Sequence, residues 1–240
     1  TTSPPIIVIV GPTASGKTAL SIRTAKEVGG EIISADSRQI YRHCDIGTEK
    51  ISKKEMRGVP HHCIDIASPR RSFSVTQWHS HAQKALRGIY RRGNVPILVG
   101  GTGMYVDALV YGASYPDVPP NMPLRKKLEK KTPEELHATL QTLDPRRAQT
   151  IEKENPRRLM RAIEIATALG AVPESIPREA KFDVTWIHTN VPFSELETRI
   201  ALRMKKTIKK GLVAETKKLK EELGLSWQRI NELGMEYRIV

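Results

Sequence analysis

The sequence predicts an α/β fold in which a parallel sheet is flanked by helices and carries a helical insertion. Apolar runs at 6–10, 31–35, 62–66 and 95–99 are separated by helix-length segments, the pattern of strands joined by crossover helices. The first run leads straight into Gly11-Pro12-Thr13-Ala14-Ser15-Gly16-Lys17-Thr18, a G-x-x-x-x-G-K-[ST] loop set between a strand and a helix. After Pro116, Pro119, Pro120 and Pro123 the texture changes, and the stretch to about Gly170 is patterned for helices without β-rich runs.

The loop at 11–18 fixes the ligand class. Small residues let backbone N–H groups wrap an anion, Lys17 adds a point charge, and the Thr18 hydroxyl can hold Mg²⁺. A diphosphate or triphosphate is therefore expected in a P-loop NTPase-like core. The second run, Glu31 to Asp36, ends in a carboxylate at the carboxyl end of its strand, the edge where such sheets bind ligands. Asp36 is thus expected to share a cleft with the loop. His61 to Ile66 reads as a short strand with a polar start, and Cys44 and Cys63, despite neighbouring histidines, lack the spacing of a zinc site. The run at 95–99 ends in Gly100-Gly101-Thr102-Gly103, which lets backbone approach a ligand closely. No aspartate stands there, and this weakens a motor-ATPase reading, which needs an acidic Mg²⁺ ligand at a strand end.

Thr132-Pro133, Asp144-Pro145 and Asn155-Pro156 each pair a cap residue with proline at the first helical position. On the helix after Asn155, Arg157 and Arg161 share a face, while Leu159, Ile163 and Ala166 can face inward. Asp183 to Asn190 returns to a strand pattern. Ser194, ahead of Glu195 and Glu197, is the expected cap of a final helical stretch. There Arg199 and Arg203, at i and i+4, can aim two guanidiniums at one anion. The expected partition is a catalytic core of 1–117 with 182–240 and a helical insertion of 118–181.

Lys and Arg outnumber Asp and Glu by 39 to 26 across 240 residues, a formal charge of +13. That excess favours a polyanionic partner, with nucleic acid first. No secretory signal and no run of about 18 apolar residues occurs, so a cytoplasmic chain without a membrane partner is expected.

Gly11–Thr18, Ala35-Asp36-Ser37-Arg38-Gln39-Ile40-Tyr41-Arg42, Asp45-Ile46-Gly47-Thr48-Glu49-Lys50, Pro60-His61-His62 and Gly100–Tyr105 resemble, in order and spacing, the tRNA dimethylallyltransferase (tRNA isopentenyltransferase, IPP transferase) family. Asn155 to Glu164 is similar to that family's helical insertion. The resemblance implies transfer of a dimethylallyl group from dimethylallyl diphosphate to N6 of the adenosine 3′-adjacent to the anticodon in tRNA, with diphosphate leaving. It implies Mg²⁺ as cofactor, the anticodon stem-loop as partner, and a monomer. Asp36, Thr102 and Lys17 would be catalytic, and Asp36 would take the N6 proton. Gly11 through Thr18, with Arg199 ahead of Arg203, would hold the diphosphate. Asp36, Ser37, Arg38, Gln39 and Thr102 would flank the flipped base, and Arg157, Arg158, Leu159, Met160 and Arg161 would lie on the tRNA. The family usually continues beyond a stretch like Gly234-Met235-Glu236-Tyr237, so some C-terminal tRNA contacts are expected to be missing, and the link from Gly170 to Phe182 is shorter than usual.

Two other chemistries use the same loop. A small-molecule kinase would bind ATP there and use Asp36 to activate a hydroxyl. An adenylate (free-nucleotide) isopentenyltransferase would keep the prenyl chemistry and change the acceptor. An RNA-binding module without chemistry would not need Lys17, Thr18 and Asp36 together.

Overall fold

The computed structural model describes residues 3–113, 115–116, 118–174 and 179–239. The chain divides into two compact units, Thr1–Ala113 with Arg178–Val240, and Ser114–Pro177. Of the sequence-based boundaries, Asp117 lies outside the described residues, as do 175–178 within the short link.

In chain order the first unit contributes β1 (Pro5–Val10), α1 (Lys17–Val28), β2 (Gly30–Ser34), β3 (His61–His62), α2 (Val75–Arg91), β4 (Val95–Gly100) and α3 (Gly103–Val110). The second unit holds α4 (Met122–Leu128), α5 (Pro133–Leu143), α6 (Pro145–Thr150) and α7 (Pro156–Leu169). The chain then returns to the first unit with β5 (Asp183–His188), α8 (Phe193–Lys209), α9 (Leu212–Glu221), α10 (Trp227–Leu233) and a 3₁₀ turn at Glu236–Arg238.

The five strands form one parallel sheet in the order β3-β2-β4-β1-β5. Every residue of β2 is buried, as befits an inner strand covered on both faces. One face packs Ile6, Val8, Ile33 and Leu98 against Trp78, Ala82 and Ile89 of α2, and the other packs Ile9, Ile32 and Ile97 against Ile22 and Ala25 of α1. Both β1 and β4 end where β2 ends, so Gly11, Asp36 and Thr102 leave the sheet at one edge.

Two expectations need correction. The third strand does not run over 62–66; pairing stops after His62, because Cys63 and Asp65 take positive φ of 64° and 57° and turn the chain away. Ser194 is not the cap of α8. The helix starts one residue earlier at Phe193, with Pro192 at the cap position and no side-chain cap bond.

Glu31 on β2 is 2 % exposed and gathers Arg92 through two bonds of 2.7 Å, His62 at 2.6 Å and Asn94 at 2.8 Å. The Arg92 hydrogen bonds foremost, opposed by burial and helped by His62 and Asn94, hold its carboxyl at about 2. A depressed carboxyl contributes stability above its unfolded pKa of roughly 4.3 and loses it as pH falls through the folded value. Glu31→Gln is therefore expected to lower stability on the order of 2 kcal/mol at pH 7 and to flatten the loss between about pH 5 and 2. Chemical unfolding at a series of pH values checks this, and parallel curves for the two proteins would contradict it.

The second unit is a helical cluster over Leu128, Leu136, Leu140, Ala148, Leu159 and Ile163. Its helices start where cap chemistry dictates. Thr132 and Glu135 form a reciprocal capping box, Asp144 and Asn155 accept from the third backbone N–H beyond them, and proline follows each. Asn121 caps α4 in the same way, accepting from the Leu124 N–H, with Met122 standing between the cap and Pro123.

Candidate active site

The loop after β1 is shaped by backbone conformations that L side chains rarely adopt. Gly11 (φ 153°), Ala14 (φ 61°) and Gly16 (φ 90°) curl the chain before α1 begins at Lys17, the kind of concavity in which successive N–H groups receive an anion. Ser15 is buried and fixed from outside, its hydroxyl 2.6 Å from that of Thr189 just past β5. Lys17 Nζ donates to the carbonyls of Gly11 (2.9 Å) and Pro12 (2.6 Å), which holds the ammonium across the loop. Burial is the largest influence on Lys17 and lowers its pKa; the Asp36 carboxylate pulls the other way and the charge of Arg203 adds to the lowering.

Asp36 closes an Asx turn after β2. Its Oδ1 accepts from the N–H groups of Arg38 (2.7 Å) and Gln39 (3.2 Å), and Oδ2 has no hydrogen-bond partner among the described residues. The turn is pinned to the next strand end. Thr102 donates its N–H to the Ala35 carbonyl (3.1 Å), and its hydroxyl accepts from the Ser37 N–H (3.1 Å). Beneath it, Trp78 Nε1 donates to the Ser34 carbonyl (3.1 Å) while its ring stacks on Tyr105 at 4.3 Å.

These segments line one cleft of about 320 Å³. Gly11, Pro12, Thr13, Lys17 and Thr18 form one wall, and Asp36, Ser37, Arg38, Gln39 and Thr102 form another. Of the residues read as diphosphate-binding, Ala14, Ser15 and Gly16 shape the loop without lining that space.

Gly100 explains part of the glycine run, since a Cβ there would overlap the Ala35 carbonyl. Gly100→Ala is expected to destabilise the core by about 1–3 kcal/mol through overpacking. A thermal scan checks it, and an unchanged Tm would contradict the packing. Gly101 meets nothing closer than 3.8 Å and stays open to the cleft.

Several other predicted residues reach this edge differently. Arg199 donates to the Ala14 carbonyl (3.2 Å) and pairs with Glu195 (2.6 Å), whereas Arg203 lies 3.3 Å from Glu236; neither lines the cleft. Arg38 lines it, yet its guanidinium donates to the Glu232 carbonyl at the end of α10. Gln39 turns its amide nitrogen onto the carbonyls of Thr48 (3.4 Å) and Glu49 (3.1 Å).

Ser21, Ile51, His61 and Ile64 also line the cleft and were given no role from sequence. His61 Nδ1 sits 2.8 Å from the Val59 carbonyl, and burial, with His62 adding to it, lowers its pKa despite that bond. A neutral ring donating through Nδ1 keeps Nε2 as an acceptor. Also unforeseen is Glu215 of α9, whose carboxylate accepts from the N–H groups of Asp45, Ile46 and Gly47 at 2.8–2.9 Å and from the Tyr237 hydroxyl at 2.7 Å. Glu215 fixes the loop that receives Gln39. The signal was the motif at 45–50, whose partner lies 168 residues away in sequence and is invisible to local pattern.

On α7 the basic residues fare unequally. Arg157 is exposed, Arg158 pairs with Glu152 at 2.7 Å and Arg161 with Glu164 at 2.7 Å. Leu159 is corrected as an RNA-facing residue: it is fully buried in the second unit's core, and Met160 packs half-buried against the same cluster.

The oxygen donors fit a Mg²⁺ ion held partly by substrate. Thr18 and Asp36 share the cleft, and no group of three or more His, Cys, Asp or Glu able to hold a metal occurs among the described residues. Mg²⁺ is commonly bound this way, through one or two protein oxygens plus phosphate oxygens and water.

A family model described as IPP transferase matches residues 39–238, and one described as Isopentenyl transferase matches residues 4–70. A protein of Thermomicrobium roseum named tRNA dimethylallyltransferase is 45% identical over 91% of this chain and 68% of its own length. One of the same name from a Roseiflexus species is 42% identical over 98% and 78%. Among solved structures, the tRNA isopentenylpyrophosphate transferase of Bacillus halodurans is 39% identical with a TM-score of 0.63, covering 92% of this chain and 71% of that one. A eukaryotic dimethylallyltransferase acting on tRNA is 27% identical with a TM-score of 0.77, covering 95% and 60%.

Proposed function

The chain belongs to the IPP transferase family, and we propose that it is a tRNA dimethylallyltransferase. It moves the dimethylallyl group of dimethylallyl diphosphate to N6 of the adenosine 3′-adjacent to the anticodon and releases diphosphate. One observation carries this reading: the phosphate loop and the Asp36–Thr102 turn line a single cleft. An anion held at one wall thereby faces a carboxylate at the other.

In the reaction the C1–O bond to the diphosphate breaks, the N6–C1 bond forms, and the N6 proton leaves. Backbone N–H groups of 11–18 and the Lys17 ammonium receive the charge that builds on the leaving group, where preorganised donors have their largest effect. Arg199 and Arg203 extend that positive edge, Arg199 being the one in contact with the loop. Thr18, with Asp36 nearby, would hold Mg²⁺ together with phosphate oxygens, and when bound the ion would supply further charge neutralisation on the diphosphate. Adenine N6 is a weak nucleophile because its lone pair is delocalised into the ring. Asp36, oriented through Oδ1, accepts the proton as the new bond forms. The acceptor adenosine has to leave its stack to enter a cleft of this size.

The excess of 39 Lys and Arg over 26 Asp and Glu, with Arg157 exposed on α7, supports tRNA as acceptor over a free nucleotide, because a polyanion draws on far more cationic surface than a mononucleotide does. No described helix is long and apolar enough to cross a membrane. The test is transfer of label from dimethylallyl diphosphate with unmodified tRNA and AMP offered together. Label in tRNA alone is expected. Label in AMP would move the protein to the free-nucleotide class, and phosphoryl transfer from ATP would identify a kinase.

A further inference from the structure

Glu164 on α7 is 2 % exposed and carries four short bonds. Its Oε1 accepts from the Asn121 N–H (2.6 Å) and Arg125 Nε (2.8 Å), and its Oε2 from Arg125 Nη2 (2.9 Å) and Arg161 Nη1 (2.7 Å). Burial alone would raise its pKa, but the two arginines and the Asn121 N–H outweigh burial and hold it at about 2. One buried carboxylate thus binds two guanidiniums whose side chains remain 34 % and 37 % exposed.

A buried carboxylate held between two partly exposed arginines is a poor way to stabilise a small helical cluster, since apolar residues in place of a desolvated charge often do as well or better. What it does supply is orientation. Glu164 occupies Nη1 of Arg161, so the Nε–Nη2 edge is left over, and that edge has the two parallel donors that match two oxygens of a phosphate. Arg161 has no other hydrogen bond or ion pair among the described residues.

We propose that Glu164 is a positioning residue that turns the Nε–Nη2 edge of Arg161 outward to grip one phosphate of the tRNA backbone. This rests on the reading that the α7 face binds tRNA. It also makes a prediction whose sign is opposite to simple electrostatics. Removing a negative charge beside two arginines would tighten binding to a polyanion if only net charge mattered, whereas losing the orientation weakens it.

The experiment is a double-mutant cycle on the full chain, reading KM for tRNA, KM for dimethylallyl diphosphate and kcat. Glu164→Gln is expected to raise KM for tRNA about tenfold in the parent background and less than about twofold in an Arg161→Ala background, the mark of coupled residues. KM for the donor and kcat stay unchanged. Arg161→Lys, which keeps the charge and the fold but loses the fork, should match Glu164→Gln. Equal effects of Glu164→Gln in both backgrounds, a lowered KM, or a fully active Arg161→Lys protein would overturn the assignment. If Arg161→Ala itself leaves KM for tRNA unchanged while label still enters tRNA, the α7 reading fails and the transferase reading stands.

Discussion

Asp36→Asn is expected to lower kcat by about 10²–10⁴-fold, the usual contribution of a positioned general base, with little change in either KM. Asparagine is the informative substitution because its Oδ1 can accept the same two bonds from the Arg38 and Gln39 N–H groups, so the turn and its tie to Thr102 persist. The capacity to take a proton is removed, together with the negative charge that faces Lys17. Steady-state kinetics with both substrates, alongside a thermal scan showing an unchanged Tm, check it. Turnover within a few-fold of the parent would remove Asp36 as the proton acceptor and leave it a turn-former.

Lys17→Met is expected to cost about 10²–10³-fold in kcat/KM for the prenyl donor, comparable to removing one strong donor to a developing anion. Methionine keeps the aliphatic stem beside the loop but gives up the bonds to the Gly11 and Pro12 carbonyls and the charge. A pH effect accompanies it. Burial foremost lowers the Lys17 pKa, so the ammonium is lost on raising pH sooner than for an exposed lysine, and donor binding should weaken earlier in the alkaline limb. Lys17→Met should abolish that limb. An alkaline limb that persists in the variant would assign it to another group.

The strand ends were legible because each motif sits where apolar periodicity stops: Val10 into the loop, Ser34 into Asp36, Gly100 into Thr102. Parallel pairing then brings the three together without further information, since adjacent parallel strands end at one edge. The caps at Thr132, Asp144 and Asn155 were legible for a similar reason, as their chemistry is local. Local pattern failed where a distant partner decides. The run at 62–66 is apolar enough for a strand, but Lys50 donates to Asp65 at 2.6 Å and to the Tyr41 carbonyl at 2.7 Å, and the chain turns to meet it. Leu159 sits between arginines in a basic motif, yet helical geometry turns it into the core. Glu164 reads as one more helix charge until the fold buries it between two arginines.

The most direct measurement is nucleoside mass analysis of unmodified tRNA after incubation with the protein, dimethylallyl diphosphate and Mg²⁺. The assignment predicts one dimethylallyl group, on N6 of the adenosine 3′-adjacent to the anticodon, and diphosphate released in equal amount. A tRNA of unchanged mass, or a prenyl group on any other nucleoside, would contradict it.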